Sequence, residues 1–144
     1  MSVVRFVKSL MVQMMAVFVL AGLMPDSAMS QEITVLLDGS QQVPPVATPA
    51  SGEAAIRVSS DKVVTGEIRT IGIEATAAHI HTGAAGVDGP IIITFTQSSE
   101  NTWTAIPDSI LTDDQFESFK AGNLYLNVHS DAFPDGEIRG QIIP

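Results

Sequence analysis

From residue 31 onward, apolar and polar side chains alternate in short runs separated by turn-forming residues. In "EITVLLDG" the apolar residues Ile33, Val35 and Leu37 fall on one face, the period of two expected of a strand with one side buried. "EAAIRVSS" and "VVTGEIRTIGI" repeat the pattern and read as a hairpin around Ser59-Ser60-Asp61-Lys62. "TAAHIH", "PIIITFT" and "NTWTAI" follow, and "NLYLNVHS" and "EIRGQIIP" bring the total to about eight strands. The first two strands are joined by "SQQVPPVATPASG", where Pro44, Pro45 and Pro49 have no N–H to give to a ladder, so the segment is a loop.

One stretch departs from this period. In "LTDDQFESFKAGN" Phe116 and Phe119 share a helical face, Thr112 and Gln115 have the spacing of a capping box, and Gly122 is a stop signal. A short helix is therefore expected from Asp113 to Ala121. Eight short strands with one helix predict an all-β fold, an antiparallel Greek-key β-sandwich or barrel. An internal echo, "TGEIRT" at 65–70 and "DGEIRG" at 135–140, places Ile68 and Ile138 in equivalent positions, although four shared residues do not establish a repeat.

The residues before this region are of a different kind. Arg5 and Lys8 precede an apolar run from Leu10 to Met24, and Ala28-Met29-Ser30 supplies small residues at the positions a signal peptidase requires. The run is shorter than the roughly 20 residues of a membrane-spanning helix. Residues 1–30 therefore read as a signal peptide cleaved after Ser30. Residues 31–144 form a single domain, and the expected location is periplasmic or secreted.

Composition then narrows the chemistry. The chain has 7 Lys+Arg and 16 Asp+Glu; Arg5, Lys8 and Asp26 fall in the leader, so residues 31–144 keep five basic and fifteen acidic side chains. Such an acidic domain excludes nucleic acid as a natural partner and, after cleavage, an anionic membrane. The chain has no cysteine, so a thiolate site is excluded and a metal must rest on His, Asp, Glu or Met. Arg69 and Arg139 are most simply read as cross-strand partners of Glu67 and Glu137 on a solvated face, and Trp103 and Tyr125 as packing residues. Asp88, Asp131 and Asp135 lie in loops, but their spacing matches no EF-hand.

Three histidines remain. His79 and His81 flank Ile80 on one strand, so their side chains share a face about 7 Å apart, close enough for both to reach one ion. His129 ends a strand on which Tyr125, Asn127 and His129 alternate with Leu124, Leu126 and Val128. All three sit at strand ends beside loops rich in glycine and aspartate, where functional residues collect on a β scaffold. If the fold brings them together, three neutral imidazoles suit copper or zinc, and copper(II) is held more tightly. The other reading leaves the pair on a strand edge or hydrogen-bonded in the core.

"LDGSQQVPPV", "AAHIHTGAAGVDGP", "GNLYLNVHS" and "GEIRGQI", in this order, resemble a CHRD domain, the module named after chordin, over about Ile33 to Ile142. That resemblance implies an extracellular module. A second is similar to the copper half of copper/zinc superoxide dismutases: a His-x-His strand, Gly89-Pro90, Val128-His129 and Arg139. It implies one copper ion on His79, His81 and His129, with Arg139 attracting superoxide or another small anion as a catalytic residue. The fourth histidine, the cysteine pair and the zinc ligands of that family are absent. The contrasting expectation is a non-catalytic extracellular module that binds protein or glycan through its loops, its histidines incidental.

Overall fold

The computed structural model describes residues 30–144; the expected leader lies outside them but for its last residue. The eight strands are β1 (Glu32–Asp38), β2 (Ser51–Val58), β3 (Val64–Ile71), β4 (Ala75–Thr82), β5 (Ile91–Ser99), β6 (Thr102–Ala105), β7 (Leu124–Ser130) and β8 (Ile138–Ile142). The helix α1 spans Asp113–Lys120, and Ala121, expected as its last residue, is its C-cap. Among the described residues no helix is long and apolar enough to cross a membrane.

The strands close into an antiparallel barrel in the order β1-β2-β3-β6-β5-β4-β7-β8, with Asp38 of β1 pairing Arg139 of β8. The connections β3 to β4 and β6 to β7 each pass over intervening strands, which is Greek-key topology. Of the two architectures expected, this is the closed one, and closure removes the open edges through which strands aggregate. The period-two pattern is realised on the inner face: Val35, Leu37, Ala54, Ile56, Ile68, Ile80, Phe95, Leu126, Val128 and Ile138 fill one core. Each fully buried aliphatic side chain contributes roughly 1.5–3 kcal/mol. The expected capping box is present, Gln115 N donating to Thr112 Oγ1 and Thr112 N to Gln115 Oε1.

The outer face is not uniform. Over most strands it meets water, but on β7 and β8 the outward-facing Tyr125, Asn127 and Arg139 are buried. Two loops cover them. From residues 39–50, Gln42 Nε2 donates to Asn127 Oδ1 at 2.6 Å and Thr48 Oγ1 to Glu137 Oε1 at 2.6 Å. From residues 83–90, the carbonyls of Ala84 and Val87 accept from Arg139 Nη2 at 2.9 and 3.0 Å.

The charge pairs expected on a solvated face need correcting. Glu67 and Arg69 do form an exposed bridge at 2.8 Å, but along one strand rather than across two. Glu137 and Arg139 are both buried and serve different partners: Glu137 accepts from Thr48 and Ser130, whereas Arg139 turns to the 83–90 loop. The reason is the loop cover, which turns an outer face into a second interior.

Candidate metal centre

The site lies on the covered outer face, where β4 pairs with β7. The register sets His81 opposite Tyr125, His79 opposite Asn127 and Ala77 opposite His129. His79 and His129 are thus diagonal neighbours, and Ala77 brings only a methyl group to the place facing His129. A register irregularity between Ile80 and His81 in the pairing with β5 comes at the point where the strand runs into the glycine loop. Ile80 itself stays in the core, so strand alternation projects both imidazoles outward as expected.

Hydrogen bonds decide which nitrogen His81 and His129 present. His81 Nδ1 lies 2.9 Å from the carbonyl of Gly89, which can only accept, so Nδ1 carries the proton. That leaves the lone pair on His81 Nε2, which is buried and has no hydrogen-bond partner among the described residues. The same logic applies to His129, whose Nδ1 donates to the Pro134 carbonyl at 2.9 Å and leaves Nε2 as an acceptor. His129 Nε2 in turn lies 3.2 Å from His79 Nδ1. A proton on His79 Nδ1 satisfies that pair, and so does a cation between them.

One potential ligand nitrogen from each of the three rings lies within 4.8 Å of the others. Nitrogens on a common ion at about 2.0–2.1 Å are at most about 4.2 Å apart, so a ring shift of roughly half an ångström closes the set. Burial and neighbouring charge favour the neutral form that a metal requires at His79 and His81. Burial, followed by the charges of His129 and His81, lowers the pKa of His79 to about 4. His81 is also lowered, chiefly by burial and further by His129 and Arg139; the Gly89 hydrogen bond and Asp88 oppose the shift.

The 83–90 loop is fitted to this arrangement. Tyr125 Oη accepts from Gly89 N at 3.0 Å, fixing the residue whose carbonyl holds His81. A Cβ on Gly89 would overlap the Thr82 carbonyl oxygen, so only glycine fits there. Behind His81 the Tyr125 ring stacks at a centroid distance of 4.9 Å, and Arg139 Cζ lies 3.5 Å from the centroid of that ring.

The structure therefore brings His79, His81 and His129 together and sets Arg139 behind them, reached through Tyr125. Arg139 is 1% exposed, and its Nη1 bridges to Asp88 at 3.2 Å. Tyr125, Asn127 and Asp88 are not read as parts of the site from sequence, whereas Gly89 belongs to the Gly89-Pro90 motif that the dismutase resemblance marks. The signal for the first two was present, since strand alternation places them on the same face as His129. Asp88 carries no comparable signal.

The CHRD domain family model matches residues 33–142, nearly all of the described chain. No curated protein and no solved structure matches it. The likeness to copper/zinc superoxide dismutases stays one of local motifs. The chain belongs to the CHRD domain family.

Proposed function

We propose that this CHRD domain is an exported module that binds one copper ion through Nδ1 of His79 and Nε2 of His81 and His129. The observation that carries the reading is the buried, unpartnered Nε2 of His81 on a ring that clusters with two further imidazoles, one nitrogen of each lying within 4.8 Å of the others. A buried polar atom without a partner costs about 1–3 kcal/mol, which a coordinated ion offsets. The donor set is all nitrogen and uncharged, and for such ligands copper(II) outranks zinc. Carbonyl acceptors on the far nitrogens of His81 and His129 fix tautomer and ring orientation, as such acceptors do for metal-binding histidines.

Copper bound there would supply one-electron redox chemistry. The chain's own contribution is to hold the rings, favour the neutral form of His79 and His81 and shield the Tyr125 side of the site from water. Enclosure of Arg139 by Asp88, two carbonyls and Tyr125 supports a positioning role for it rather than capture of an incoming anion. Export is supported by the basic, apolar and small-residue order of residues 1–30.

A second reading, a module that docks on a protein or glycan, draws on Leu36 and Ile71. They are 65% and 72% exposed and border a groove of about 520 Å³ along β1, β2 and β3. Titration separates the two. Copper added to metal-free protein should bind one-to-one with submicromolar Kd, and His79→Ala, His81→Ala and His129→Ala should each abolish that site. Equal binding by wild type and all three variants would leave the docking module as the reading.

A further inference from the structure

Arg139, Tyr125 and His81 form a column on the covered face. Two stacking steps, 3.5 Å from guanidinium to phenol ring and 4.9 Å from phenol ring to imidazole at 14° between planes, link the cation to a candidate ligand. Both Arg139 and Tyr125 are buried. Among the described residues the only carboxylate on Arg139 is that of Asp88, and this side chain is 62% exposed. Its remaining partners, the Ala84 and Val87 carbonyls and the Gln141 side-chain oxygen, are uncharged. The positive charge is buried while its counter-charge is screened by water, so the field at His81 is only partly cancelled. The three candidate ligands add no negative charge of their own.

We propose that Arg139, acting through Tyr125, is a positioning residue that biases a copper ion held by the three histidines toward Cu(I) over Cu(II). This rests on the three-histidine reading above. Cu(II) carries one more positive charge than Cu(I), so a positive potential at the site disfavours it more. At an effective dielectric constant of about 20, a unit charge two ring-stacks away and partly offset by Asp88 changes the relative affinity roughly tenfold.

The test measures Kd for Cu(I) and for Cu(II) separately, by competition with chromophoric chelators, on the whole folded protein. Wild type is compared with Arg139→Met and Asp88→Asn. Arg139→Met should lower the Cu(I)-to-Cu(II) affinity ratio roughly tenfold, a drop of about 59 mV in the one-electron potential. Asp88→Asn removes the opposing charge and should raise the ratio. A merely structural role for Arg139 would weaken both oxidation states by the same factor, and an unchanged ratio in folded Arg139→Met overturns the proposal. Should Arg139→Met fail to fold, the exposed Asp88 position decides: a raised ratio supports the proposal, and an unchanged or lowered one overturns it. Wild-type protein that binds neither copper ion overturns the three-histidine reading itself, and the present inference with it.

Discussion

His79 Nδ1 lies 3.2 Å from His129 Nε2, although the two residues are fifty positions apart in the chain. The contact exists because β4 and β7 are neighbours in the barrel and their register sets the rings diagonally. Both rings are partly exposed, so truncating them should cost little packing. His79→Ala and His129→Ala are expected to weaken copper binding by more than about 100-fold, beyond the roughly 10–100-fold typical of losing a group that only hydrogen-bonds to a ligand. They should leave the barrel's melting temperature within a few degrees of wild type. Copper competition and thermal melts of the metal-free variants check both halves.

The lowered pKa of His79, about 4, fixes the sign of a pH effect. Between about pH 6.5 and 4 the unfolded chain takes up a proton at this position that the folded protein refuses, so acid favours unfolding. Stability of the metal-free protein is fully present above pH 6.5 and declines as pH falls toward 4. After discounting for partial exposure the effect is on the order of 1 kcal/mol, a drop in melting temperature of roughly 5 °C. Melts at pH 7 and pH 5, a window in which carboxylates contribute little, should show the fall in wild type and a smaller one in His79→Ala.

Gly89 and Gly86 make a contrasting pair in the same loop. A methyl on Gly89 would meet the Thr82 carbonyl oxygen and push the Gly89 carbonyl off His81, whereas one on Gly86 meets nothing within 4 Å and pays only for a φ of +80°. Gly89→Ala is expected to cost about 1–3 kcal/mol in urea unfolding and to weaken copper binding 10–100-fold. Gly86→Ala should cost about 1 kcal/mol and leave copper affinity within a factor of two or three, on the order of experimental scatter. Equal copper affinities in the two variants would remove the loop from the site.

Much of this architecture was legible as periodicity. All eight strands and the capped helix at Thr112 follow from alternation and turn residues, as does the outward projection of His79 and His81. What alternation cannot report is whether an outward face meets water. The tetrapeptide Gly-Glu-Ile-Arg occurs on β3 and at the start of β8, and its isoleucine is fully buried both times. Its arginine is exposed at position 69 and buried at position 139, because only the latter lies beneath the 83–90 loop. That difference comes from contacts between residues far apart in the chain, such as Arg139 to Asp88 and Gln42 to Asn127. The convergence of His129 on the His79–His81 pair is of the same kind, set by the neighbour relation of β4 and β7.

Net charge gives a signed prediction for any reaction with superoxide. Residues 31–144 carry fifteen acidic and five basic side chains, and the arginine nearest the site is sealed. An incoming anion therefore meets a repulsive field, which salt screens over a Debye length of about 10 Å at 0.1 M. Copper-loaded protein is expected to react with superoxide faster as ionic strength rises. A rate that falls with salt and is lowered by Arg139→Ala more than copper affinity is would make Arg139 an anion guide.

The central claim is that three imidazoles share one ion, and a crystal structure of the protein with one equivalent of copper, phased at the copper edge, tests it most directly. A shared site predicts a single anomalous peak about 2.0–2.1 Å from His79 Nδ1, His81 Nε2 and His129 Nε2, with the Gly89 and Pro134 carbonyls still on the opposite nitrogens. A peak elsewhere on the barrel, or none with His79 Nδ1 still hydrogen-bonded to His129 Nε2, would contradict it.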